Sequence, residues 1–459
     1  MRIKRDVGTH IFSLPVSNTS PAVQVRISDG RHFLLLTVAP ADPENAAFFA
    51  EYPIPFSENE IEIDAPELFF RHLVWKDASS PRRPEKSVPR QAFHFTPPKG
   101  WMNDPNGLFF LNGKWHLFYQ SNPLSAIWGN MHWAHAVSSD LIHWEDKGLA
   151  LWPDSNGTIF SGSAVVDQKN WAGFGKNAVL LFYTNNGYDG KGSQNLAVST
   201  DGGISFRKYE NNPILPNLSG RCDRDPQVAF DPESGVWRMC LYLGDEEKRE
   251  FLLFASKNLL NWEKTDSYQI PGGRECPGIQ RMFDEETGEW KWLFFEANGF
   301  YRIGTISSEG RILFEGPVRR FLIGDAYAGQ CFQNAPDGRI IFIAWLKMPG
   351  GAAGSWAGCM TLPMELRLRG GLLLLHPAVE LPSSPFHAAG RTRMGNGIQE
   401  ILVDPLEHRI SCRGKTWNLP ETLAEVKGRI FQDRFSLEYF DDSGHFMAAF
   451  YIPDGSCEN

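Results

Sequence analysis

The sequence predicts an all-β protein: a five-bladed β-propeller with a C-terminal β-sandwich and a small N-terminal β-domain. Three observations carry this expectation. First, "AVSSDLIHWE" (136–145), "AVSTDGGISFRKYE" (197–210), "FASKNLLNWE" (254–263) and "TISSEGRILFE" (305–315) share one plan, with key aromatics Trp144, Phe206, Trp262 and Phe314 spaced 62, 56 and 52 residues apart. Periods of this length, each holding several strands, indicate propeller blades. Second, hairpin signals recur beside these repeats, as in "GLFFLNGKWHLFYQ", "VAFDPESGVWRMCLYL" and "MFDEETGEWKWLFFEA", where alternating apolar runs flank Gly-containing turns. Third, five short polar motifs, at Asp104, Ser161, Asp225, Glu275 and Tyr327, are spaced 57, 64, 50 and 52 apart. The first strand of a blade is innermost, so these motifs should converge on the central channel.

Taken in chain order, residues 1–78 read as a small β-domain, with short strands at "AVQVRIS", "HFLLLTVA", "IEIDA" and "RHLVW". "SSPRRPEKSVPR" (79–90) has Pro and charge but no apolar period, and reads as a linker. Residues 91–375 are the five blades. After "GGLLLLHPAVELPSSP" the texture changes, and "GIQEILVDP", "HRISCRG" and "GRIFQDRFSLEYFDDSGHFMAAFYIP" make 376–459 a short β-sandwich.

With 459 residues, 42% of them hydrophobic, the chain can bury a large core over two or three domains. A net charge of −9 argues against nucleic acid or an anionic membrane as partner. Fifteen Trp within 13% aromatic content suit neutral ligands with apolar faces, sugars above all. Seven scattered Cys form no C-x-x-C pair, so neither a zinc site nor a disulfide framework is signalled. "MRIKRDVGTHIFSLPV" has no apolar stretch long enough for a signal peptide. The expectation is a cytoplasmic protein, or a secreted one if a leader has been removed, with no cofactor.

"GWMNDPNGLFF" (100–110) raises the chemical question. Asp, Asn, Pro and Gly favour turns for local reasons, yet an aromatic beside an acid also suits a sugar site. Asp104, Asp225 and Glu275 should face one another across the funnel. Such a cluster could be a calcium site, a structural charge cluster or a glycosidase. Calcium loops take closely spaced acids from one segment, whereas these come from three blades. A glycosidase needs a pair of carboxyls whose separation sets its stereochemistry.

"WMNDPNG", "FSGS", "RDP" and "ECP", in that order and spacing, resemble glycoside hydrolase family 32, the invertases, inulinases and levanases. "FHFTPPKGWMNDPNGLFF", "IWGNMHWAHAVSSDLIHWE" and "GTIFSGSAVVD" are similar to its bacterial levanase and exo-inulinase branch, and "GRIFQDRFSLEYF" to a signature of its C-terminal sandwich. The resemblance implies a propeller and a retaining exo-β-fructosidase acting on terminal fructose of levan, inulin or sucrose. It implies Asp104 as nucleophile, Glu275 as general acid/base and Asp225 as transition-state stabiliser. Asn103, Gln120, Trp128, Ser161 and Arg224 would line the fructose subsite, with Phe160 and Trp356 as wall residues. Glu275 should be protonated at working pH, raised by burial and a neighbouring carboxylate. Arg224 and nearby amides should keep Asp104 ionised. Cys276 is expected to pack and to position its neighbour. His94, His116, His132, His135 and His143 read as structural or rim residues, since none has metal-ligand spacing. A fructosyltransferase using the same site, and an inactive fructan-binding module, are the rival readings.

Overall fold

The computed structural model describes residues 2–4, 11–56, 60–77, 88–349, 354–381, 386–389, 392–395, 400–404, 407–419 and 427–452. Among these the chain is all-β, and its one α-helical turn is Glu67–Phe70. Residues 79–87 of the expected linker lie outside the described residues.

The N-terminal strands form two sheets. One runs in the order Phe48–Pro53, Ile11–Val16, Val74–Lys76, and the other Arg2–Lys4, Glu60–Asp64, Val23–Ser28, Phe33–Val38. Period-2 alternation turns Leu34, Leu36 and Val38 inward to meet Phe12, Leu14 and Val25 in one apolar core. Leu124, from the segment after residue 122, is buried in that same core.

Five antiparallel sheets then follow in chain order. Their first strands are Gly100–Leu111, Thr158–Asp167, Arg224–Asp231, Gly278–Phe283 and Ala326–Cys331. In the first four the successive strands form a meander, and in the fifth Ile341–Leu346 pairs with Met364–Arg369 across a longer connection. The first strands of the fifth, first, second, third and fourth sheets pack in that order, and polar side chains stitch them together. Gly162 N–H donates to Asn106 Oδ1 at 3.1 Å, Ser163 Oγ donates to the Pro226 carbonyl at 2.8 Å, and Gln330 Nε2 donates to the Gly162 carbonyl at 3.0 Å. Trp356–Ala357 returns to pair in parallel with Gly100 and Trp101 at the edge of the first sheet.

"NDPNG" is not a turn. It lies inside the continuous strand Gly100–Leu111, where pairing with Lys114–Asn122 shifts register between Met102 and Pro105 and again between Asn106 and Phe109. Two irregularities within one strand re-aim the side chains between them, and Asp104 lies between the first two points. Gly107, at φ 52°, lies within the second, with the Trp133 ring 3.0 Å from where a Cβ would stand.

The C-terminal strands form two more sheets that share a core containing Val403, Ile410, Leu437, Tyr439 and Phe450. Here the sequence boundary needs correction. Leu322–Gly324, expected within the five-sheet region, pairs in parallel with the last strand, Met447–Tyr451. Its residues leave the fourth sheet and cover an edge that would otherwise present unpaired backbone groups. A second tie joins residues 91–95 to 433–438. Buried His94 meets Asp433 through Nδ1 at 2.9 Å and Glu438 through Nε2 at 3.1 Å. Gln91 donates to Ser436 Oγ at 2.7 Å and accepts from Phe435 N–H at 2.9 Å.

Burial opposes charge on His94, but the two carboxylates outweigh it and raise its pKa to about 9. Burial also pushes on Asp433, yet His94 and backbone N–H groups hold it well below the usual carboxylate range. Glu438 moves the other way, because burial dominates there, so the ion pair is carried by Asp433. A histidine whose folded pKa exceeds its unfolded value stabilises fully below about pH 6.5, and that contribution fades as pH rises through about 9. Calorimetric melting from pH 6 to 10 should show a stability loss on the order of 3 kcal/mol across this window. His94→Gln should lack the loss and be less stable at pH 6. A variant with the wild-type pH profile would refute the tie.

Candidate active site

A cavity of about 310 Å³ opens where the first strands of the five sheets begin. That is within the range of small-molecule sites, about 300–1,000 Å³. Nine of the ten residues selected from the sequence line it: Asn103, Asp104, Gln120, Trp128, Phe160, Ser161, Arg224, Asp225 and Glu275. Trp356 does not. It is buried beside the cavity region, donates from Nε1 to the Pro89 carbonyl at 3.2 Å, and packs against Phe435 and Arg90. Strand pairing with Gly100 fixes it in the core, and Trp345 takes a place on the wall instead. Met131 and Tyr327 complete the lining.

Asp104 is held by short side-chain contacts. Ser161 Oγ donates to its Oδ2 at 2.6 Å, Cys276 Sγ lies 3.7 Å from the same oxygen, and Asn103 Nδ2 donates to Oδ1 at 3.1 Å. Asn103 is itself oriented by Trp101, whose indole N–H donates to Asn103 Oδ1 at 2.8 Å. Glu275 binds differently. Its Oε2 accepts from Arg224 Nε at 3.1 Å and from a terminal Arg224 nitrogen at 2.8 Å, while its Oε1 accepts from the Tyr327 hydroxyl at 2.7 Å. Asp225 is buried, with Oδ2 accepting from Cys276 N–H at 3.1 Å and Arg224 Nε 3.8 Å away. Cys276 thus positions two carboxylates, Asp104 through its thiol and Asp225 through its backbone.

The backbone at these motifs is unusual. Asp225, Cys276 and Ala328 have φ of 65°, 49° and 51°. Left-handed conformations in non-glycine residues cost on the order of 1 kcal/mol or more each and concentrate at functional sites. Two donors on the wall, Gln120 Nε2 and Trp345 Nε1, find no partner among the described residues. A buried donor left unpaired is costly, and ligand oxygens would relieve both.

The electrostatics reverse the expectation for two carboxyls. Burial favours neutral Glu275, but the Arg224 guanidinium and the Tyr327 hydroxyl outweigh it and lower the pKa. Asp104 is raised, by burial first and by the charge of Glu275, against the Ser161 and Asn103 hydrogen bonds. Arg224 makes no hydrogen bond to Asp104. Asp225 is pushed up to about 7 by burial, with Glu275 and Asp104 adding to it and Arg224 opposing. The guanidinium thus favours the ionised form of Glu275, while burial and the neighbouring carboxylates favour the neutral forms of the two aspartates.

Tyr327 carries the fifth motif, "YAGQ", to which the sequence assigns no role; nothing in "IAWLKMP" marks Trp345 or Lys347 as neighbours of the site, and nothing in "IWGNMHWAH" marks Met131. The Lys347 ammonium lies 3.3 Å above the centre of the Tyr327 ring, on the phenol that donates to Glu275. The histidines of the first sheet are structural. His116 and His135 stack with Phe109 and Phe118, and His132 bonds the Tyr52 hydroxyl at 2.8 Å. Among the described residues no group of three His, Cys, Asp or Glu side chains could hold a metal ion.

The family profile described as the N-terminal domain of glycosyl hydrolases family 32 matches residues 94–377. The chain is 35% identical over 369 residues to a levanase of Bacillus subtilis (strain 168), covering 74% of this chain and 53% of that protein. It is 35% identical over 315 residues to an extracellular exo-inulinase of Meyerozyma guilliermondii, covering 62% of this chain and 60% of that one. The chain thus spans between half and two-thirds of the length of these relatives. Among solved structures, a β-fructofuranosidase from Schwanniomyces occidentalis complexed with fructosyl-erythritol superposes with TM-score 0.68 at 25% identity, covering 81% of this chain and 92% of that one. An exo-inulinase from Aspergillus awamori superposes with TM-score 0.70 at 24% identity, covering 80% and 93%.

Removing the Lys347 ammonium takes a positive charge from the neighbourhood of both Glu275 and Asp104. Lys347→Met should therefore move the carboxyl titration midpoints of both to higher pH, as read by carbon-13 NMR. Midpoints that stay in place, or move down, would show that the ammonium does not act on the site.

Proposed function

The chain belongs to glycosyl hydrolase family 32, and from that premise we propose that it is a retaining exo-β-fructosidase releasing terminal β-D-fructofuranosyl residues from fructans or sucrose. The observation that carries the proposal is the convergence of Asp104 and Asp225, on the first strands of two sheets, and Glu275, just ahead of the first strand of another, on one cavity lined otherwise by hydrogen-bonding side chains, aromatic rings and Met131. The names of the relatives, levanase and exo-inulinase, support the same substrate class. The five sheets are taken as the blades of a propeller over about 91–375, with an N-terminal β-domain at 1–78 and a β-sandwich from 376. The packing of their first strands and the return of Trp356–Ala357 to the first sheet support this.

Asp104 attacks the anomeric carbon of the fructosyl unit while the bond to the leaving oxygen breaks. Glu275 gives that oxygen its proton, and Asp104 becomes ester-linked to the sugar. Water then enters on the vacated side and yields a proton to Glu275. The new C–O bond displaces Asp104 as carboxylate, so two inversions give retention. Asp225 accepts hydrogen bonds from ring hydroxyls and its charge opposes the positive charge developing at the anomeric centre. Ser161 and Asn103 donate to Asp104 and so favour the carboxylate it must be for attack, against burial and the charge of Glu275. Arg224 favours the ionised form of Glu275; a leaving-group oxygen that competes for Glu275, in a cleft where the sugar displaces water, raises the cost of that charge and favours the acid form.

Incubation with sucrose, inulin and levan, with products resolved, tests the reading. Free fructose alone is expected; lengthening oligomers would mean transfer, and no turnover would leave only binding. Glu275→Gln should lower turnover of substrates with poor leaving groups by about 10²–10⁴-fold and spare binding. Full activity in that variant would show that another residue supplies the proton.

A further inference from the structure

We propose that the N-terminal β-domain builds one wall of this active site, with Asn18 and Asn130 as positioning residues for the loop that carries Trp128. The inference rests on the fructosidase reading of the cleft. Trp128 and Met131 enter the cavity from residues 123–131, which join the second and third strands of the first sheet. Trp128 is 55% exposed and meets Phe160 edge-on at 6.0 Å, so its own packing does not fix it. The fixing comes from the loop's two ends.

At the first end, Asn18 of the N-terminal domain accepts through Oδ1 from Ala126 N–H at 3.1 Å and from Ser125 Oγ at 3.3 Å. Its Nδ2 donates to the Gly354 carbonyl at 3.0 Å. At the other end, Asn130 Oδ1 accepts from Thr37 N–H at 2.7 Å, and its Nδ2 donates to the Thr37 carbonyl at 2.7 Å and to Asn122 Oδ1 at 3.1 Å. Thr37 lies on Phe33–Val38, the edge strand of its sheet. The amide of Asn130 satisfies both its backbone groups, as a further strand would. Leu124 anchors the loop in the N-terminal core. Phe33, on the same outward face as Thr37, stacks on Tyr188 of the second sheet at 6.2 Å. The domain lies outside the span of the family match, which begins at 94, yet it holds a wall of the cavity.

The test is kinetic. Asn130 has φ 44°, so Asn130→Gly removes the amide without straining the backbone. The double variant Asn18→Ala/Asn130→Gly should raise KM for sucrose and levan about tenfold, with kcat within about twofold. Asn18→Asp in place of Asn18→Ala, which keeps the acceptor for Ala126 and Ser125, should recover much of the loss. In a Trp128→Ala background the double variant should add almost nothing, because all three act through one contact. A merely structural role would lower the active fraction, and so kcat, at constant KM. Unchanged KM, or effects that add to Trp128→Ala, would overturn the inference. Absence of wild-type turnover would instead refute the fructosidase reading. Hydrogen exchange then decides the clamp alone: amides of 124–131 should exchange about tenfold faster in the double variant, and equal protection would overturn it.

Discussion

Three carboxylates crowd one cleft, and a single guanidinium lies among them. Asp225 is buried and Asp104 half-buried, and Arg224 spends its two-point contact on Glu275 alone. Like charges at this range cannot all remain ionised in a poorly solvated site, so the protons are shared. Everything else in the site answers this constraint. Ser161, Asn103 and Cys276 donate to the aspartates, Tyr327 donates to Glu275, and Lys347 adds a cation behind the Tyr327 ring. In the proposed mechanism the balance moves when a sugar replaces water, and Glu275 passes from an ion-paired carboxylate to an acid.

Holding such a cluster requires a scaffold that does not relax. Asp104 and Asp225 lie on the first strands of two sheets and Glu275 just ahead of the first strand of another, and first strands are cross-tied through Asn106, Ser163 and Gln330. The strained residues Asp225, Cys276 and Ala328 survive because these strands and the sheets behind them over-determine their backbone. The outer modules extend the same principle. The C-terminal strands grip residues 91–95 through His94, directly ahead of the strand that carries Asp104. The N-terminal domain grips the loop after that strand's hairpin.

Much of this was legible in the sequence because it is periodic. Strand-length apolar runs, hairpin turns and five polar motifs at similar spacing carry the architecture, and nine of ten selected side chains reach one cavity. What was not legible depends on side-chain directions and charge environments that no local pattern encodes. "NDPNG" has turn composition, yet cross-strand pairing keeps it extended and bulged. Trp356 has the composition of a sugar platform, but its backbone pairs with Gly100 and buries it. The protonation of Glu275 was misjudged because Arg224 could have served either acid, and only its direction in space decides which. Leu322–Gly324 looks like any inner-strand run, and its partner, Met447–Tyr451, lies more than a hundred residues away in sequence.

The central claim is that Asp104 forms a covalent bond to the sugar while Glu275 moves the proton. The anomeric configuration of the first product tests it most directly, because a covalent intermediate imposes retention whatever the leaving group. Proton and carbon-13 NMR spectra taken within the first turnovers on levan or sucrose should show β-fructofuranose appearing before the equilibrium mixture. Early appearance of the α-anomer would mean a single displacement by water, and would reduce Asp104 to a residue that binds the sugar.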